Sequence, residues 1–213
     1  MGTQTNELYN AAVQGDADAV RRLLGRGADP DRESLEEAEG LPLCAAACWG
    51  HLDVVNALLA AGADPGLAED RAGSNLTALF WAASNDHLGV VSALLEAGAE
   101  VDPADAAGRT PLSHAAERGS AAVVRVLLAH GADPGRRDRL GRTALELAEQ
   151  YADADIEAEV RSRVRGDRIS VRRETGESGD ERVIAEARDH TGALSSEAFL
   201  GTGHAVIAEL LRG

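Results

Sequence analysis

The sequence predicts a mainly α fold, a solenoid of about five helix-turn-helix repeats with a small β-hairpin or meander insertion near the C-terminal end. Three recurrences predict it. A Gly-Ala-Asp/Glu tripeptide returns at Gly27, Gly62, Gly98 and Gly131, at spacings of 35, 36 and 33. A mid-unit turn returns in step at Gly15, Gly50, Asp86 and Gly119. Between them, apolar residues keep helical phase: Val54, Val55, Leu58 and Leu59, then Val90, Val91, Leu94 and Leu95, then Val123, Val124, Leu127 and Leu128. A helix pair this short cannot bury its own apolar stripe, so it requires neighbours of the same shape.

The clearest unit runs from Gly108 to Asp133. Thr110 offers its hydroxyl to a backbone N–H left free at the helix start, and Pro111 follows where a missing N–H costs nothing. Gly119 ends the first helix, and Gly131 supplies the left-handed stop after the second. With this period and the Thr110-Pro111-Leu112 opening, the chain resembles the ankyrin-repeat family over roughly residues 5–150; the family signature is T-P-L-H-x-A in a unit of about 33 residues. The fit has departures. Ser113 stands in the signature His position with His114 one place on, and Cys44 and Phe80 stand there in the two preceding repeats. Asp86 replaces the turn glycine, and Asp tolerates a left-handed backbone better than most residues.

Taken in order, repeats are expected at about 5–37, 38–73, 74–106 and 107–139, with a fifth starting at 140–150. The first helix, about Asn6–Gln14, is polar, which suits a terminal unit with one wetted face. Val20, Leu23 and Leu24 of that repeat face inward. The connector from Pro30 to Gly40 carries Asp31, Glu33, Glu36, Glu37 and Glu39. It reads as a solvated finger loop with a helical turn at Leu35–Ala38. The fifth repeat opens at Thr143-Ala144-Leu145; residues 152–164 then place Ile156, Val160 and Val164 at four-residue spacing, as an amphipathic second helix would. Residues 151–213 are read as a C-terminal cap. Ile169–Arg173 alternates, Val183-Ile184-Ala185 follows a turn-rich stretch, and Ala193–Phe199 can add a third strand, giving a β insertion at about 168–199. Ile207, Leu210 and Leu211 mark a final helix, about 203–212, that closes the stack.

Composition narrows the function classes. The net charge of −15 is uneven: residues 1–105 hold 18 Asp/Glu against 5 Arg, and residues 106–213 hold 18 against 16. Nucleic-acid binding by the first three repeats is disfavoured, since phosphate affinity needs a basic surface, and an acidic face attracts a basic protein instead. Lys is absent, which fits the compositional bias of a GC-rich bacterial genome. The N-terminal MGTQTNELYN lacks the basic start and apolar run of a secretory signal, and no stretch reaches eighteen apolar residues. A cytoplasmic, monomeric protein without membrane association is the expectation.

Chemistry-bearing groupings are few. Cys44, Cys48 and His51 lack a fourth ligand for zinc, and buried small residues are the commoner reading. Cys44 and Cys48 sit four apart on one helix, where backbone geometry opposes a disulfide. Arg165-Gly166-Asp167 reads as a turn, and Asn75-Leu76-Thr77 as a sequon without meaning in a signal-less chain. No Ser/His/Asp arrangement, phosphate-cradling loop or HExxH occurs. His51, His87 and His204 fall at or near repeat turns, where a structural hydrogen bond is expected. No enzyme activity, metal or cofactor is predicted.

What remains is surface, and here the resemblance guides the reading. In ankyrin-like stacks the inner helices and finger loops form a concave groove that binds a partner protein. Mapped onto this chain, the groove-facing inner-helix positions are Val13 and Gln14, Cys48 and Trp49, Ser84 and Asn85, Glu117 and Arg118. The positions before the capping residues are Gly40, Leu76, Arg109 and Arg142. Trp49 either faces the groove or lies flat on the next repeat; Trp81 falls on the packing face. Arg136, Arg137 and Arg139 make a basic finger at the far end, opposite in sign to the acidic first finger. The resemblance implies a non-enzymatic protein-protein interaction module. The charge adds a narrower reading, an inhibitor or immunity-type protein whose acidic N-terminal half covers a basic target. A regulatory subunit of an enzyme is the remaining alternative.

Overall fold

The computed structural model describes residues 3–34, 40–69, 74–166, 168–176 and 179–212. Four helix pairs come first: α1 (Thr3–Gln14) with α2 (Ala17–Gly25), α3 (Pro42–Cys48) with α4 (Leu52–Ala60), α5 (Ala78–Ser84) with α6 (Leu88–Glu96), and α7 (Pro111–Arg118) with α8 (Ala121–Ala129). The first helices of successive pairs pack on one another as an inner layer, and the second helices as an outer layer. A two-stranded finger, β1 (Ala68–Glu69) and β2 (Leu76–Thr77), precedes α5. The helical turn expected at Leu35–Ala38 lies outside the described residues, as do Glu36, Glu37, Glu39 and Asp167.

Local sequence explains the elements. Thr77 and Thr110 accept the backbone N–H of Phe80 at 3.3 Å and of Ser113 at 3.2 Å, closing the free ends of α5 and α7. Pro42 and Pro111 occupy the first helical position of α3 and α7. Gly119 ends α7 at φ 78°. In α4, α6 and α8 the spine of the apolar stripe is fully buried, Val54, Val55 and Leu58, then Val90, Val91 and Leu94, then Val123, Val124 and Leu127, while Leu59 and Leu128 at its edge are half-buried. Each such side chain contributes about 1.5–3 kcal/mol on burial, so the stack is held by a repeating apolar seam. Backbone bonds link the fingers as well, from Ala106 N–H to Ser74 O at 3.1 Å and from Arg139 N–H to Ala107 O at 2.8 Å.

The fifth unit departs from the expected order. Its inner helix, α9 (Ala144–Ala152), packs on α7 and carries a full capping box, with Thr143 accepting from Glu146 N–H at 3.3 Å and Glu146 accepting from Thr143 N–H at 2.8 Å. The amphipathic segment after it, α10 (Ile156–Ser162), is not the second helix of the repeat. It packs instead on a three-stranded antiparallel sheet of β3 (Arg168–Thr175), β4 (Glu181–Arg188) and β5 (Leu194–Gly201). The outer-helix place beside α9 and α8 is taken by α11 (His204–Arg212).

The reason is written in the turn. His51 and His87 open α4 and α6, and their Nε2 atoms bond the carbonyls of Val13 at 3.0 Å and Cys48 at 3.1 Å in the preceding repeat. His204 does the same to Glu117 O at 2.9 Å. In the third and fourth repeats the residue at this place, His87 or Ser120, comes ten residues after Thr77 or Thr110; His204 comes 61 after Thr143. The fifth repeat is therefore split by 51 extra residues. The insert has its own apolar cluster of Val160, Val164, Val183, Ala185, Ala187 and Leu200, which packs on Tyr151 of α9 and is distinct from the seam of the stack.

Candidate partner-binding groove

One position per repeat forms a row along the ends of the inner helices: Gln14, Trp49, Asn85 and Arg118, each next to the mid-unit turn. Gln14 is exposed, and Trp49 stands 61% exposed, which settles its orientation in favour of solvent. Asn85 and Arg118 are half-buried. The fifth member is Tyr151, eight residues after Thr143 as Arg118 is after Thr110. It is only 7% exposed, because the insert packs over it. Arg163 donates to its hydroxyl at 2.8 Å, and its ring lies 5.2 Å from that of His204. The insert thus covers the C-terminal end of the row.

Beside the middle of the row lies an open pocket of about 380 Å³ between fingers and inner helices. Ser74, Leu76 and Asp105–Ala107 line it from the fingers; Phe80, Trp81, Ser84, Asn85, His114 and Arg118 line it from the helices. Phe80 and His114 meet as tilted rings, with centroids 4.2 Å apart and planes at 60°. Burial, with help from the Arg109 cation, pushes the His114 imidazole down to about 3, so it is neutral near pH 7. Its 3.6 Å approach to Asp105 is accordingly no ion pair there. Asn85 Nδ2 donates to Trp81 O at 3.0 Å, and Trp81 Nε1 donates to the buried Glu69 carboxylate at 3.1 Å.

The residues singled out from the sequence scatter over several places. Leu76, Ser84, Asn85 and Arg118 meet in this pocket. Ser84 is a correction, since it is only 8% exposed; its hydroxyl nonetheless has no hydrogen-bond partner among the described residues. Arg109 and Glu117 pair with each other, and that guanidinium holds the Glu117 carboxyl below its ordinary range although burial works against it. Gln14 lies on α1, in a cleft with Glu7, Asn10 and Arg22. Arg142 is fastened within its own finger by Asp138, at 2.8 Å. Arg137 is 3.5 Å from Glu146, and Arg136 is exposed on the same finger beside Leu140, which is 76% exposed. Trp81 packs against the main core, as its place on the packing face predicts, but is only half-buried and also forms pocket wall with His114. The signal for both was their register: each stands four residues after its capping threonine.

Other groupings are structural. Burial raises both thiols, Cys44 the more, and neither is a ready nucleophile. Among the described residues no cluster of three metal-ligating side chains forms, and no helix is long and apolar enough to cross a membrane.

Repeated helix pairs, histidines bridging adjacent turns and finger loops facing an inner-helix pocket agree with a direct comparison: the family model described as ankyrin repeats (3 copies) matches over residues 8–105, 43–138 and 101–156. The chain belongs to the ankyrin-repeat family. A search of curated proteins finds no match. Ankyrin repeats are protein-protein interaction modules, and domains built from them are generally non-catalytic. The match ends at 156, just inside the insert, and α11 lies beyond it because 51 residues separate that helix from its repeat.

Proposed function

We propose that this ankyrin-repeat chain is a non-enzymatic binding module that holds a partner protein across the Trp49–Asn85–Arg118 row and the adjoining pocket. The observation that carries this reading is the exposure of Trp49 in the row, beside a pocket walled by Leu76, Phe80 and Trp81. An exposed indole next to a partly apolar cleft offers a large, stiff contact area, the type of residue that dominates binding energy at interfaces. The row is bounded by the polar α1 end on one side and by the insert on the other, so the contact spans the second to fourth repeats.

The net −13 of residues 1–105 favours a second, narrower reading in which the acidic half covers a basic target, as an inhibitor would. One experiment addresses both. The protein is immobilised and proteins of its native extract are captured with wild type, with Trp49→Ala/Asn85→Ala, and with Arg136→Ala/Arg139→Ala, at low and high salt. Groove binding predicts one specific protein lost from the first variant and kept by the second, with unchanged circular dichroism. Capture unaffected by the groove variant rejects the groove. Capture that survives that variant and collapses between 0.05 and 0.5 M salt favours the charge-driven reading, because exposed charges are screened over a few ångströms at high salt.

A further inference from the structure

Arg118 is the groove cation without a directly paired carboxylate among the described residues. The neighbouring arginines of the groove rim are spoken for, Arg109 by Glu117 and Arg142 by Asp138. Arg118 makes no ion pair among the described residues. Its single hydrogen bond runs from Nη1 to Phe199 O at 3.3 Å, and its guanidinium lies 5.0 Å from the centre of the Phe199 ring. Nε and Nη2 donate to nothing among the described residues. Those two donors form one edge of the planar fork that matches a carboxylate bidentately. Burial lowers its proton affinity, with the Arg163 and Arg109 cations adding to the depression and the nearby Glu117 carboxylate opposing it.

The rest of the pocket suits an anion next to an apolar group. Ser84, whose buried hydroxyl has no hydrogen-bond partner among the described residues, lines the same pocket and supplies a further donor. Leu76, Phe80 and Trp81 supply apolar wall. Asp105, the carboxylate that lines the pocket among the described residues, is engaged at Oδ1, which accepts the N–H groups of Ala107 at 2.8 Å and Arg109 at 2.7 Å, while Oδ2 lies 3.6 Å from His114 Nε2. His114 beside it is uncharged near pH 7 and adds neither repulsion nor attraction.

We propose that this pocket recognises an Asp or Glu side chain of the partner protein, seated on the free edge of Arg118 with an adjacent apolar side chain against Leu76, Phe80 and Trp81. The proposal rests on the groove reading above and gives it a specificity: although the chain as a whole is acidic, its groove selects an acidic-apolar segment. A half-buried guanidinium with no paired carboxylate has lost part of its hydration, and a carboxylate opposite its free edge offsets that loss through charge-assisted hydrogen bonds.

The test selects random peptides displayed on phage against the whole protein and measures the affinity of the enriched peptides by fluorescence anisotropy. The expected enrichment is an Asp or Glu beside an aliphatic or aromatic residue. Replacing that acid by its amide in the peptide should weaken binding to wild type about tenfold, and should have little effect on binding to Arg118→Gln, a coupling of about 1.4 kcal/mol. Arg118→Lys, which keeps the charge but loses the fork, should fall between the two. Circular dichroism and the melting temperature check that the Phe199 contact is not needed for folding; should Arg118→Gln unfold, Ser84→Ala carries the same comparison. Enrichment without an acidic position, enrichment of basic residues, or an amide penalty equal on wild type and variant overturns the proposal. Trp49→Ala separates the two levels: if it weakens the peptides while the acid has no effect, the groove stands and this pocket reading falls; if neither Trp49→Ala nor the Arg118 variants matter, both fall.

Discussion

At the scale of single residues, the mid-unit turn couples neighbouring repeats through a glycine and a histidine. A Cβ at Gly15 would lie 2.8 Å from the His51 ring, and one at Gly50 would lie 2.4 Å from that of His87. Where the turn holds Asp86, the residue that follows in the next repeat is Ser120, which leaves room for the larger side chain. Gly62, at φ 90°, needs the left-handed backbone but has open space around it. Gly62→Ala should therefore cost only the backbone term, about 1–2 kcal/mol. Gly50→Ala should cost about 1–3 kcal/mol more, since the ring must shift or its hydrogen bond must break. Urea denaturation of the two variants compares them directly; equal losses would show that the stacked ring is not felt.

His114 supplies a pH dependence on the same scale. Its folded proton affinity is depressed from 6.5 to about 3 by burial first and Arg109 second, with Arg118 adding to the depression and Glu117 opposing it. The unfolded chain therefore binds more protons between those values, and stability falls as pH drops below about 6.5. The slope from this one group can reach about 1.4 kcal/mol per pH unit. His204, depressed chiefly by burial, acts in the same direction. His114→Gln should flatten the loss of stability between pH 6.5 and 5, above the range where carboxylates protonate, and a profile parallel to wild type would reject the assignment.

At the scale of elements, the sequence made the stack legible because each repeat restates the same physics: a threonine cap, an apolar stripe at helical spacing, a left-handed stop. The groove was legible only in part. Register alone puts Trp49, Asn85 and Arg118 along a row, but periodicity says nothing about how deep a finger folds over a helix, so it does not show that Trp81 and His114 form pocket wall or that Ser84 is buried. The sheet was readable from alternation at Ile169, Val171 and Val183. What local pattern could not show was which of two amphipathic helices completes the fifth repeat. Ile156, Val160 and Val164 have the right spacing; Ile207 and Leu211 have it too, and the His204 turn contact decides between them. The consequence is testable, since Ile207 is fully buried in the seam and Val160 is fully buried in the insert cluster. Ile207→Ala should cost about 2–5 kcal/mol and lower hydrogen-exchange protection in α8, α9 and α11. Val160→Ala, a smaller truncation, should lower protection in α10 and the sheet while leaving α9 and α11 protected.

At the scale of the whole molecule, the insert is a guest in an otherwise regular array, and nearest-neighbour stability makes it removable. Deleting residues 152–202 would place Gly203 nine residues after Thr143 and His204 ten after it, the spacing that Gly119 and Ser120 keep from Thr110. The turn would then have a glycine free to take the left-handed backbone and a histidine already bonded to Glu117 O. The deletion removes the sheet, the Arg118–Phe199 contact and the cover over Tyr151. The expected product is an uninterrupted array with a cooperative melt, in which α9 and α11 keep their exchange protection and the row runs on from Arg118 to an exposed Tyr151. Tyrosine accessibility to a small modifying reagent would rise at that residue. If instead α9 and α11 lost protection together with the sheet, the insert would be part of what closes the stack, and its position over the end of the row would be a structural requirement of the fold.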